Sequence, residues 1–208
     1  MTFPLVRTHR AAWFAAALFA AAAGTVVAQQ AQAPLALKTA TVSIAGTSNI
    51  HAFTAATSTV RVTRAQLAAN VAGPQFWDEV VKPGALEAFE IAVSAATLTS
   101  PKEGLDKNMH KALKVQEHPD ITFRLVRLEP GTAGAMKAIG MLKIAGVERE
   151  VALALKTERR DAGLAVKGQL QLLMTDYGIK PPTAMLGMLK TDPKVTVTFE
   201  TVLGVPLT

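Results

Sequence analysis

The amino-acid sequence predicts an all-β protein, an antiparallel sandwich or barrel of about eight strands with one inserted helix. Short runs of alternating apolar and polar residues recur along the chain, separated by turn residues. A single segment has apolar residues at helical spacing, so the alternating helices of a parallel α/β fold are missing. The chain of 208 residues has no cysteine. Its fold must therefore depend on a hydrophobic core and not on disulfides.

The eight strand segments each present one apolar face, because successive side chains of a strand point to opposite sides. Such a sheet must close on itself or pack against another layer. A closed barrel of about eight strands is either just filled by side chains or holds one small ligand, and the pattern leaves both open. The predicted strands are Leu37–Ala45, Ile50–Thr63, Ala85–Leu98, Ile121–Leu128, Ala135–Ile144, Glu148–Thr157, Leu164–Thr175 and Lys194–Leu203, with Gly146-Val147 and Asp161-Ala162-Gly163 as tight connections.

Two helices are predicted between these strands. Lys102–Val115 has apolar residues at helical spacing, and Ser100-Pro101 is typical of a helix start. The second helix would be short and would follow the Pro181-Pro182 break, with Thr183 as its cap and Met185, Leu186 and Leu189 on its apolar face. An amphipathic helix of this kind would lie near the barrel mouth. Arg64–Pro83 is predicted to be polar and irregular.

The N-terminus has the pattern of a secretory signal peptide. A basic start with Arg7 and Arg10 precedes the apolar run Ala11–Val27, and small residues follow up to Ala28. We predict cleavage after Ala28, which makes residues 1–28 the signal peptide and residues 29–208 a single exported, periplasmic domain. The alternative is an uncleaved membrane anchor, for which the run is at the lower length limit.

Charge and motifs exclude several classes of function. The net charge of +6 falls to +4 without the signal peptide, and the basic residues are scattered with few aromatics among them, which argues against a nucleic-acid-binding protein. This charge permits weak contact with an anionic membrane surface. No G-x-S-x-G, H-E-x-x-H, P-loop or dinucleotide motif occurs. His51, His110 and His118 do not pair at ligand spacing, so neither a metal site nor an enzyme is predicted.

Four blocks of sequence resemble the YceI-like family of exported, polyisoprenoid-binding proteins with a lipocalin-like barrel. They are "GTSNIHAF" (46–53), "LKVQEHPDITFRL" (113–125), "IGMLKIAGVEREVAL" (139–153) and "MTDYGIKPPTAMLGMLKTDPKVTVTFE" (174–200). The resemblance implies a closed or nearly closed eight-stranded antiparallel barrel around a long apolar cavity. It implies no cofactor apart from a bound isoprenoid lipid, quinone or fatty-acid-like molecule, and it is compatible with a homodimer.

We therefore expect a periplasmic carrier that holds a long-chain amphiphilic lipid. Strand alternation predicts that the cavity is lined by Phe89, Ile91, Phe123, Leu125, Leu170, Leu172, Met174 and Phe199, and Tyr177, Met185 and Met188 are candidates at the mouth. One alternative is an envelope interaction module with a filled core and no ligand. Another is an enzyme with a site across strands around His51 or His110.

Overall fold

The fold is a strongly curled antiparallel sheet. A computed structural model describes residues 34–131, 135–161, 163–184, 186 and 188–205 of the chain, and the described residues belong to one compact unit. The predicted signal peptide, residues 1–28, lies outside them. The strands are β1 (Ala36–Ser48), β2 (Ala52–Thr57), β3 (Val60–Leu67), β4 (Leu86–Ser94), β5 (Asp120–Pro130), β6 (Met136–Ile144), β7 (Val147–Arg160), β8 (Gly163–Leu173), β9 (Thr183–Ala184) and β10 (Leu189–Gly204).

Nine of these strands form one continuous path, in the order β2-β1-β10-β8-β7-β6-β5-β4-β3. All of the paired neighbours are antiparallel, and the short β9 pairs with the start of β10. The edge strand β3 also approaches β1, the strand next to the other edge strand β2. The sheet therefore curls almost into a closed barrel, which confirms the predicted all-β barrel class.

Two differences account for the ten strands where eight were predicted. The predicted strand Ile50–Thr63 is split at Ser58-Thr59, because the Thr57 hydroxyl accepts a hydrogen bond from the Thr59 amide and turns the chain. As a result β2 pairs with β1, whereas β3 pairs with β4 on the other side of the seam. The second difference is β9, which is too short for alternation to reveal.

Two α-helices are present among the described residues. α2 (Glu103–Ala112) confirms the main predicted helix, although it ends before the predicted limit of Val115 and Lys114 then takes a left-handed conformation with φ 53°. α1 (Phe76–Glu79) lies in the segment 64–83, which was predicted to be irregular. That prediction was wrong for α1, and also for Arg64–Leu67, which continues β3. A four-residue helix is too short to show a period in sequence.

The segment after β8 also differs from the prediction. β8 ends at Leu173, and Met174–Tyr177 form a 3₁₀ turn that stops at Gly178 with φ 66°. Thr183 was predicted as a helix cap and Leu189 as part of the helix, but they lie in β9 and β10 and Leu189 pairs with Ala184. Backbone pairing between β9 and β10 therefore replaces helix formation at these two positions. Met185 lies outside the described residues.

The tight connections lie close to where they were predicted. β6 and β7 are joined by Ala145-Gly146, with φ 48° and 85°, one residue earlier than the predicted Gly146-Val147. Positive φ at both positions is the geometry of a two-residue hairpin turn that matches strand twist. β7 and β8 are joined through Asp161, and Gly163 already begins β8.

Candidate functional site

The inner face of the curled sheet encloses an apolar cavity of about 810 Å³. Every strand from β1 to β10 contributes to its lining, because the alternation of each strand sends one set of side chains inward. Ligand sites in proteins are typically apolar and fall within about 300–1,000 Å³. The interior of this barrel is therefore not filled by its own side chains.

Nine of the eleven candidate residues line this cavity. Leu170 and Leu172 lie on β8, and their neighbours Gln169 and Gln171 are exposed on the outer face, as alternation requires. Met188 does not line the cavity and is 65% exposed in the turn between β9 and β10. Met185 lies outside the described residues. The nine lining residues are Phe89, Ile91, Phe123, Leu125, Leu170, Leu172, Met174, Tyr177 and Phe199.

One end of the cavity is covered by α1. Val80 and Val81 line the cavity there, and Trp77 and Val80 are buried in a cluster with Leu35 and the start of β8. The guanidinium of Arg159 lies 5.6 Å from the Trp77 ring centroid, a cation–π contact that holds α1 against β7. The cavity-lining residues at this end are all buried or half-buried. We call this the α1 end.

The opposite end is partly covered by α2, whose Leu105, Met109 and Ala112 face the cavity. The lining residues that are exposed to solvent are all at this end, so it contains the mouth. They come from the β1–β2 hairpin and β2, from the start of α2, and from β9. These exposed lining residues are His51, Ala52, Thr54, Pro101, Lys102, Gly104, Asn108 and Thr183.

The mouth is polar while the deeper wall is apolar. Among the described residues that line the cavity, Lys102 is the only lysine or arginine, and no carboxylate is present. Lys102 is exposed at the N-terminal end of α2. The arrangement can therefore hold an apolar chain inside and leave a polar or anionic group at the opening.

Tyr177, which was predicted at the mouth, lies instead in the buried wall. It is 3% exposed, and its Oη has no hydrogen-bond partner among the described residues. Burial raises the pKa of the Tyr177 hydroxyl above the ordinary 10.0, and the Asp176 carboxylate raises it further, while Arg149 opposes them. The ring contributes to the cavity wall, but the hydroxyl is packed within the protein.

Three phenylalanines of the wall approach glycines of the neighbouring strand with the tips of their rings. Phe53 lies over Gly46, Phe123 over Gly140 and Phe199 over Gly168, so closely that a Cβ on any of these glycines would collide with the ring. The tip of each ring occupies the space in which a Cβ would otherwise stand, close to the sheet. The absence of these three Cβ atoms therefore helps to keep the cavity open.

A model of the YceI-like domain family matches residues 23–203, which is most of the chain. The protein therefore belongs to the YceI-like family. No curated protein matches its sequence.

Three solved structures share the fold of this chain. Burkholderia cenocepacia BcnA is 11% identical, with a TM-score of 0.62 over 80% of this chain and 96% of its own. A polyisoprenoid-binding domain from Saccharophagus degradans, implicated in plant cell wall breakdown, is 11% identical with a TM-score of 0.62, covering 84% and 100%. The Campylobacter jejuni YceI protein is 14% identical with a TM-score of 0.52, covering 72% and 82%.

Within the described residues, the histidines of this YceI-like chain belong to no group of three or more side chains that could hold a metal ion. His110 Nε2 is 2.8 Å from the Leu98 carbonyl oxygen and ties α2 to the turn after β4. The His118 ring packs against Gly146 in the β6–β7 turn. His51 is exposed at the mouth. None of the helices in the described part of the chain has the length and hydropathy of a membrane span.

Alternation along the strands did not reveal the features that close and open the cavity. The cover at the α1 end and the mouth are formed by loops and short elements, where no period applies. A usable signal was present in "FWDEVV" (76–81), where four large apolar residues stand in an otherwise polar segment. Such residues need a buried partner, and here they cover the α1 end.

Proposed function

We propose that this protein is a carrier that holds a long-chain amphiphilic lipid, an isoprenoid or a quinone, in the cavity of its barrel. The observation that supports the proposal is an apolar cavity of about 810 Å³ with a polar mouth at one end. Membership of a family with polyisoprenoid-binding relatives supports the same ligand class. The wall offers shape and apolar contact, and it offers few polar groups for recognition.

The cavity volume sets the scale of the ligand. One water molecule takes up about 30 Å³ in the liquid, and we use this value as the volume of one heavy atom. A cavity of this size then holds roughly 27 heavy atoms, or about five isoprene units. At about 0.3 kcal/mol per atom, such a ligand would bind with roughly 8 kcal/mol, which is micromolar affinity. A longer chain would extend through the mouth.

The orientation of the ligand follows from the two ends of the cavity. Val80 and Val81 at the α1 end offer only apolar surface, whereas Lys102 and Asn108 at the mouth are exposed and polar. The end of the hydrocarbon chain would lie near α1, and the polar group would remain at the mouth. Its head group would thus meet the ammonium of Lys102.

Mass analysis of the protein as isolated from cells tests this function. Native mass spectrometry should detect an added mass that organic extraction releases as a lipid of roughly the predicted size. A lipid-free mass under gentle conditions, together with no uptake of added polyprenol or ubiquinone, would contradict the proposal. An unrelated exported barrel of similar size, purified in parallel, controls for lipid carried over from membranes.

We also propose that the protein works in the periplasm after removal of residues 1–28. The support is the basic start, apolar run and small residues before Gln29 in the sequence. N-terminal sequencing of the protein from an osmotic-shock fraction should begin at Gln29. Recovery of the intact N-terminus in the membrane fraction would favour the anchored alternative.

The alternative of an interaction module with a filled core is not supported by the interior. That alternative expected almost no cavity, and the barrel has one of about 810 Å³. The enzyme alternative around His51 or His110 gains no support from the positions of these residues, because His51 is exposed and His110 Nε2 is engaged by the Leu98 carbonyl.

A further inference from the structure

The most exposed large apolar side chains of the described residues gather beside the mouth. Leu186 is fully exposed, Met188 is 65% exposed and Ile50 is 59% exposed. Ile50 stands in the β1–β2 hairpin next to His51, which lines the cavity. Leu186 and Met188 lie in the turn between β9 and β10, whose Thr183 and Leu189 also line it. We call Ile50, Leu186 and Met188 the apolar rim.

The two loops of the apolar rim are fastened to each other through Asn49. Its side-chain amide donates to the Met188 carbonyl over 2.8 Å, and its side-chain oxygen accepts from the Lys190 amide over 2.8 Å. The backbone amide of Asn49 also donates to the Lys190 carbonyl over 3.1 Å. The rim is therefore one surface and not two independent loops.

Leu186 also has a backbone conformation that leucine rarely adopts. Its φ is 56°, in the left-handed region that favours glycine or asparagine. A fully exposed leucine gains no burial that would offset this strain within the folded protein. Strained residues of this kind cluster at functional sites, which makes Leu186 a candidate contact residue.

The charge around the apolar rim favours an anionic partner. Lys190 stands two residues from Met188, and Lys102 lines the mouth at the start of α2. Both are exposed and form no ion pair with another described residue. Glu103 and Asp192 flank them, but the lining of the mouth itself contains no carboxylate among the described residues.

We propose that the apolar rim docks on an anionic phospholipid bilayer, with Ile50, Leu186 and Met188 inserted between head groups and Lys102 and Lys190 against the phosphates. Exposed apolar side chains beside basic ones are the signature of peripheral attachment to a bilayer. The mouth then faces the membrane, so a lipid passes between bilayer and cavity without crossing water. The inference rests on the proposed lipid carrier and adds where the carrier loads.

Vesicle flotation tests the docking. Protein isolated from the periplasm is mixed with vesicles of phosphatidylcholine alone or with phosphatidylglycerol added. The rim variant is Ile50→Glu with Leu186→Glu, and its matched control is Val126→Glu with Val205→Glu, which places the same charge at exposed apolar sites away from the rim. All variants carry the same N-terminus, so differences between them report on the substituted residues.

We expect the wild type and the control to float with phosphatidylglycerol vesicles, and the rim variant to bind at least tenfold more weakly. Lys190→Gln should reduce the preference for phosphatidylglycerol, whereas Lys156→Gln on the outer wall of β7 should not. Ile50 and Leu186, the two residues changed in the rim variant, do not line the cavity. Binding of cis-parinaric acid offered from solution should therefore be the same in the rim variant and the wild type.

Two results would overturn the docking. The first is a flotation result against the docking: either the wild type does not float, or the rim variant floats as well as the control. The second is a wild type whose rim joins two copies of the chain, seen as a dimer in sedimentation that the rim variant loses while vesicle binding is unchanged. If neither the wild type nor any variant binds cis-parinaric acid, the carrier function is contradicted. Flotation would still decide the docking.

Discussion

The ring of Phe53 on β2 lies over Gly46, the residue paired with it on β1. A Cβ at Gly46 would meet only atoms of this ring among its nearest neighbours, whereas at Gly140 and Gly168 it would also meet backbone oxygens. Phe53 lines the cavity close to the mouth. This pair therefore sets how far an aromatic ring reaches into the lumen.

Gly46→Ala should reduce the usable cavity without preventing folding. The φ of Gly46 is outside the left-handed region, so alanine suits the backbone. The added methyl would push the Phe53 ring into the lumen, where it displaces several ligand atoms. At about 0.3 kcal/mol per atom we expect roughly tenfold weaker lipid binding, measured by fluorescence titration with cis-parinaric acid.

The double variant Gly46→Ala with Phe53→Leu controls for this prediction. A leucine lacks the ring that collides with the new methyl, so lipid affinity should return towards the wild-type value. Equal losses of affinity in the single and double variants would show that the ring does not transmit the effect.

Leu170→Trp should fill part of the lumen directly. Leu170 lines the cavity on β8, and the larger ring would take the place of about six ligand atoms, for about a twentyfold loss of affinity. Gln169→Trp is the matched control, because Gln169 is exposed on the outer face of the same strand. An affinity loss that is as large in the control would argue against the cavity as the binding site.

Tyr177 can be titrated alone, since it is the single tyrosine of the chain. Its pKa is raised above 10.0, first by burial, so its phenolate absorbance should appear at higher pH than in the unfolded protein. The folded state keeps the proton more tightly, so ionisation of this group does not affect the free energy of unfolding below pH 10 and lowers it as the pH rises through the raised pKa.

Tyr177→Phe should therefore flatten the fall in stability at alkaline pH. At neutral pH it removes a buried hydroxyl without a partner, so stability should stay unchanged or rise by about 1 kcal/mol. Urea unfolding at neutral and at alkaline pH measures both effects. A clear loss of stability at neutral pH would mean that the hydroxyl has a partner in solution.

His110→Ala should loosen α2 from the barrel. The variant leaves the Leu98 carbonyl without its 2.8 Å partner in a residue that is fully buried. An unsatisfied buried acceptor costs about 1–3 kcal/mol of unfolding free energy, measurable in urea. His51→Ala is the control, because the His51 side chain is exposed and makes no hydrogen bond among the described residues. Equal stability of the two variants would contradict this role for His110.

The sequence predicted the wall of the site better than its ends. Leu170 and Leu172 could be assigned to the inner face because a strand has a fixed period of two. Met188 was expected at the mouth as a cavity contact, but it lies in a turn, where no period tells inside from outside. Val80 and Trp77 were missed for the same reason, since α1 is a single turn of helix.

Whether the barrel would be hollow could not be predicted from alternation. Phe199 and Gly168 are 31 positions apart in the chain, and only the register of β10 against β8 pairs them. A filled barrel and a hollow one share the same pattern of inward apolar residues. What separates them is which side chains face one another across strands, and that depends on register and not on local spacing.

Because α1 covers one end of the cavity, the mouth is the only opening that the described residues leave. A lipid bound as proposed would have to leave through the mouth before the next one enters. The rate of ligand exchange would then be limited by the rate at which the bound lipid dissociates. Partners that speed this exchange would have to act at the α2 side of the molecule.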